Sequence, residues 1–152
     1  MSEELDVRWL DSLAKNLSRS QRWKMLNAVI REVRKGQQDR IGRQQNPDGS
    51  PYIPRKPRLQ DKRGKIKRRA MFAKLRTNKY MRIHTTADSA KVYVPGQAGY
   101  IGKFHQFGLR GRVDRRSKNM TTYPKREILG ISPQEQKQIE AKIISYIADG
   151  LL

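Results

Sequence analysis

Apolar residues recur at three- and four-residue steps in three stretches of the chain. Over Ser2 to Leu17 the stripe is Trp9, Leu10, Leu13 and Leu17, with Glu3 and Glu4 where a helix dipole favours negative charge. This pattern predicts a helix. Ser18-Arg19-Ser20-Gln21 has the form of a capping box, in which a serine accepts from the N3 amide and a glutamine reaches back. A second helix is predicted from there to about Ile41. Trp23, Leu26, Ile30, Val33 and Ile41 line one face, and Arg22, Arg31, Arg34 and Lys35 the other. The third stretch starts at Ser132-Pro133-Gln134-Glu135, with a serine cap, proline at N1 and a carboxylate at N3. Ile139, Ile143, Ile147 and Leu151 follow on one face with Ile144 beside them, and Asp149-Gly150 closes the helix.

Between the helices the period changes to two. Met81, Ile83 and Thr85 alternate with Tyr80, Arg82 and His84, and Lys91 to Val94 alternates again after the turn at Ala87–Ala90. The two runs predict a β-hairpin. Ala98 to Phe107 reads as a short helix anchored by Ile101, Phe104 and Phe107, with Gly108 as its C′ residue. Lys65 to Leu75 is compatible with another short helix. Leu109 to Thr122 reads as a basic loop, and Tyr123 to Gly130 as a return of the chain to the sheet. The fold expected is α+β: a small antiparallel sheet from the 80–94 hairpin and a strand near 123–129, packed by the N-terminal and C-terminal helices. At 152 residues it forms a single domain, with a basic arm projecting over residues 43–76.

Charge sharpens this picture. The chain carries a net +20, and from Arg55 to Arg76 eleven Lys or Arg stand against one acid, Asp61. This block follows the turn-rich run Asn46-Pro47-Asp48-Gly49-Ser50-Pro51. No apolar face matches so much charge. The arm is expected to be flexible in an isolated protomer and to be ordered by an anionic or protein partner.

Composition excludes several chemistries. There is no Cys, so disulfides, thiol catalysis and thiolate metal sites are absent, and the chain suits a reducing cytoplasm. The acidic start MSEELDVRW has no signal-peptide pattern, and no run approaches a bilayer span, so no membrane role is expected. His84 and His105 have no partners at metal-ligand spacing. His84 is expected to be exposed on a strand, and His105 to be a buried, hydrogen-bonded residue that positions its loop. The acids are scattered, and neither glycine pair, Gly99/Gly102 nor Gly108/Gly111, belongs to a phosphate-loop motif. No catalytic residue, cofactor or small-molecule ligand is expected. What remains is binding. Arg55, Lys56, Arg58, Lys62, Arg63, Lys65, Lys67, Arg68, Arg69, Arg110 and Arg112 are the candidates for contact with DNA or another anionic partner. With few aromatics in the arm, any DNA contact is expected at the backbone. Trp23, Leu26, Ile30, Phe104, Phe107 and Leu109 are the candidates for a subunit interface.

Four segments carry a resemblance: NPDGSPYIPRKPR, AMFAKLR, FHQFGLRGRV and YPKREILGIS. In order and spacing, over about residues 40 to 132, they resemble the virion morphogenesis or tail completion family of contractile-tailed phages, Mu-like and related. The resemblance implies a structural protein of the virion neck, assembled in the bacterial cytoplasm. It implies completion of the head-proximal end of the tail so that it can join the head. It also implies a homo-oligomeric ring, a hexamer by the sixfold symmetry of such tails. The implied partners are tail terminator or tube proteins, head–tail connector proteins and double-stranded DNA in the channel. The alternative is a free protein that clamps nucleic acid non-specifically with the same basic arm.

Overall fold

Ser18 opens the longest helix, α1 (Arg19–Gly42), through the expected box: its Oγ accepts from Gln21 N–H, and Gln21 Oε1 accepts from Ser18 N–H. The structure is a computed structural model and describes residues 1–5, 15–56, 70–113, 115–116 and 118–150. Around α1 stand β1 (Ser2–Leu5), β2 (Arg82–Thr85), β3 (Ala90–Tyr93), α2 (Gly96–Phe107), β4 (Arg110–Arg112), β5 (Met120–Thr122) and α3 (Pro133–Gly150). The fold is α+β, as the periodicities predict. α1 packs on β2, β3 and α3. α3 runs antiparallel to it, with Arg40 paired to Glu135 and Glu32 to Lys142. Leu26, Val29 and Ile30 of α1 meet Met81, Val92, Val94, Leu129 and Ile143 in one core. Each such side chain contributes about 1.5–3 kcal/mol by leaving water.

The sheet differs from expectation in its third strand. β3 is central, with β2 on one edge and β1 on the other, all antiparallel. Ser2 pairs with Tyr93 and Leu5 with Ala90, so the start of the chain is strand rather than helix. The free edge of β3 outweighs the local helix signal of Glu3 and Glu4, because a ladder satisfies backbone groups that a frayed helix start leaves open. The rest of the predicted first helix, with Trp9, Leu10 and Leu13, lies outside the described residues; Leu17 is buried. Residues 123–129, expected as a strand, belong to neither sheet.

Two further elements are corrected. Leu109 to Thr122 contains a hairpin rather than a plain loop, with Arg110 opposite Thr122 and Arg112 opposite Met120. The short helix expected over 65–75 is reduced, in its described part, to a single 3-10 turn at Ala73–Arg76. The first part of the supposed arm does not project. Asn46 Oδ1 accepts from Glu127 N–H (2.9 Å), and the buried Tyr52 donates to the Glu127 carbonyl (2.9 Å). Burial pushes the Tyr52 phenol up to about 12.

Candidate functional site

α2 is the element on which the site is built. Gly108 ends it in the left-handed conformation at φ 64°, and the amides of Gly108 and Leu109 both donate to the Phe104 carbonyl. This turn directs the chain into β4, which lies so close to α2 that a Cβ on Gly111 would stand 2.5 Å from the Phe104 ring. The helix faces the opposite way from the sequence expectation. Its inward side is Gly99, Gly102, His105 and Gln106, whereas Ile101 is 47% and Phe107 58% exposed. Small residues permit the close approach: a Cβ on Gly102 would already meet Met1 and Ile128 side chains at 3.1 and 3.3 Å. Of the three expected anchors only Phe104 is half-buried.

Between α2, the β4–β5 hairpin and the ends of the basic segment lies an open cleft of about 1030 Å³. Its floor is a run of touching rings. Tyr100 meets Phe104 (centroids 5.2 Å apart), Phe104 meets Tyr123 (5.8 Å), Tyr123 meets His105 (4.9 Å), and His105 meets Phe72 (5.0 Å). Phe72 sits at φ 59°, held there as Gln44 bonds both the N–H and the C=O of Met71 (2.7 and 2.9 Å). Arg55 and Lys56 line one side of the cleft and Arg110, Arg112 and Arg115 another, and among the described residues no carboxylate lines it.

Arg126 closes the base. It is 3% exposed, and its guanidinium donates to the Ile53 carbonyl (2.6 Å), to the Pro54 carbonyl (3.1 Å) and to His105 Nδ1 (3.1 Å). Because Nδ1 accepts, the ring proton of His105 sits on Nε2. Burial, with the Arg126 charge beside it, holds the His105 pKa down at about 4. The unfolded chain therefore takes up a proton near pH 6.5 that the folded chain refuses. Stability is full above that pH and is lost as pH falls toward 4. Between pH 6.5 and 5, denaturation should show a loss of at most about 1.4 kcal/mol per pH unit, flattened in His105→Gln.

The structure thus brings together the predicted Arg55, Lys56, Arg110, Arg112 and Phe104. Arg58, Lys62, Arg63, Lys65, Lys67, Arg68 and Arg69 lie outside the described residues; Lys56 and Ala70 line the cleft. The expected interface set divides. Leu26 and Ile30, 1% and 0% exposed, are taken up by the protomer's own core and offer nothing to a neighbour, which corrects their expected role. Trp23, Phe107 and Leu109 are exposed. Sequence reasoning missed Tyr100, Met120, Tyr123 and Arg126. Only the clustering of aromatic with basic residues from Tyr100 to Arg126 signals them. His84 is exposed on β2 and His105 is buried and hydrogen-bonded, both as expected.

A family model for the phage virion morphogenesis family matches residues 3–148. The chain is also 33% identical over 140 residues to tail completion protein S of Escherichia phage P2, covering 91% of this chain and 92% of that one. No solved structure matches.

Proposed function

This chain belongs to the phage virion morphogenesis family, and from that premise we propose that it is a structural tail completion protein. It acts at the head-proximal end of a contractile tail, as part of the virion neck, and makes the finished tail competent to join the head. The observation that carries this reading is the likeness to a tail completion protein along 91% of the chain.

Geometry adds support for self-assembly. Ring closure needs a heterologous interface, in which one patch of each subunit meets a different patch of the next. Phe107 and Leu109 form one exposed apolar set at the end of α2, off the lining of the cleft. Trp23 on α1 and Ile144 on α3 offer exposed apolar surface on other elements. In the proposed ring, a hexamer, Phe107 and Leu109 of one subunit meet the helical face carrying Trp23 of the next. Six copies bring together a charge of about +120, so the ring depends on salt or on anionic neighbours. Those neighbours are tail terminator or tube proteins below, and connector proteins and DNA above. Symmetry-resolved imaging of intact particles tests the placement, with this chain expected in the neck.

A further inference from the structure

The cleft combines two chemistries that single ligands rarely match. Its rim cations Arg55, Arg110 and Arg112 make no ion pair among the described residues. Beside them Tyr100, Ile101 and Met120 are 61, 47 and 48% exposed, an apolar strip along the same cleft. Exposed apolar surface beside arginines that make no ion pair among the described residues marks a protein-binding surface more than a phosphate track. The backbone of duplex DNA would answer the arginines and offer nothing to Ile101 or Met120. A second copy of this chain, at +20, brings no net negative charge to answer the arginines.

We infer that the cleft docks an extended acidic segment of a different protein. Its carboxylates bind Arg110, Arg112 and Arg55, the arginine forks accommodating them in bidentate geometry. Alternate aliphatic or aromatic side chains of the segment cover Tyr100, Ile101 and Met120. The lining is largely preformed: Gly111 seats the hairpin on Phe104, and Arg126 ties Ile53 and Pro54 to the base beside Arg55. This goes beyond a place in the virion, and holds or fails whether or not the chain forms a ring.

The test is fluorescence anisotropy on the full chain with a labelled peptide of alternating Glu and Leu. An all-Glu peptide of equal length and a DNA duplex serve as comparisons. The alternating peptide should bind roughly tenfold more tightly than all-Glu, through the apolar strip. Arg110→Ala with Arg112→Ala should weaken it roughly tenfold, and Ile101→Ser about fivefold. All three positions are exposed, so folding is not at stake. Arg31→Ala with Lys35→Ala removes equal charge from α1, away from the cleft, and should change affinity less than about twofold. Equal losses in the two charge-removed pairs, or an Ile101→Ser protein that binds unchanged, would overturn the inference. So would a duplex that displaces the peptide and loses affinity with the same arginine pair.

Discussion

Arg40→Ala is expected to destabilise the fold by about 3–5 kcal/mol, read by urea denaturation. Arg40 is buried, and its guanidinium meets both oxygens of Glu135 at 3.1 Å. It also donates to the Gly130 carbonyl (2.9 Å) and to Gln37 Oε1, which itself accepts from Gly130 N–H (3.0 Å). Glu135 in turn accepts from Ser132 N–H (2.7 Å) while Ser132 Oγ accepts from Glu135 N–H (3.2 Å). One carboxylate thus caps α3 and neutralises a buried cation of α1. Burial lowers the Arg40 pKa, with Glu135 opposing the shift. Truncation strands the Glu135 charge and uncouples the helices at this end. The loss should fall toward the lower limit, because Arg40 Nε and Gln37 Nε2 have no partner among the described residues. In a double-mutant cycle with Glu135→Gln, the two losses should sum to more than the double variant shows. A loss below about 1 kcal/mol would place the pair among ordinary surface ion pairs.

Gln106→Ala carries the second large expectation, a loss of about 3–4 kcal/mol. The Gln106 amide accepts from Ile128 N–H (2.8 Å) and Leu129 N–H (3.0 Å), and donates to the Leu129 carbonyl (2.7 Å). A side chain here supplies what a neighbouring strand would supply to residues 123–129. All three backbone groups surround core side chains, since Ile128 and Leu129 are 0 and 2% exposed. Alanine leaves them without partners where water enters poorly. Hydrogen exchange gives the local reading: the Ile128 and Leu129 amides should lose protection beyond the global change in stability. Gln106→Met preserves volume and should lose the same protection, which separates hydrogen bonding from packing. Unchanged exchange at both amides would contradict this assignment.

What the sequence revealed follows the range of the forces involved. Both capping boxes, at Ser18–Gln21 and Ser132–Glu135, and the glycine stop at Gly108 act within a few residues and were legible. So was the 82–93 hairpin, whose alternation encodes its faces. Interactions across the chain were not. Gln106 and Arg126 work through side-chain bonds to backbone 22 to 73 residues away, with no periodic trace. α2 offered two plausible faces, and the aromatic one looked like core. The buried face is instead the one whose glycines allow close packing, which leaves Tyr100, Ile101 and Phe107 exposed. The candidate site was half legible. Its cations stood out as basic charge that far outnumbers the acids, but the rings beneath them converge from Phe72, α2 and Tyr123 only in three dimensions.

The most direct measurement is the copy number and position of this chain in intact virions, by symmetry-resolved electron cryo-microscopy. The account predicts a closed ring of six copies at the head-proximal end of the tail, with Phe107 and Leu109 of each subunit against the Trp23 face of the next. Absence of the chain from finished tails, or a non-cyclic arrangement at the neck, would contradict it.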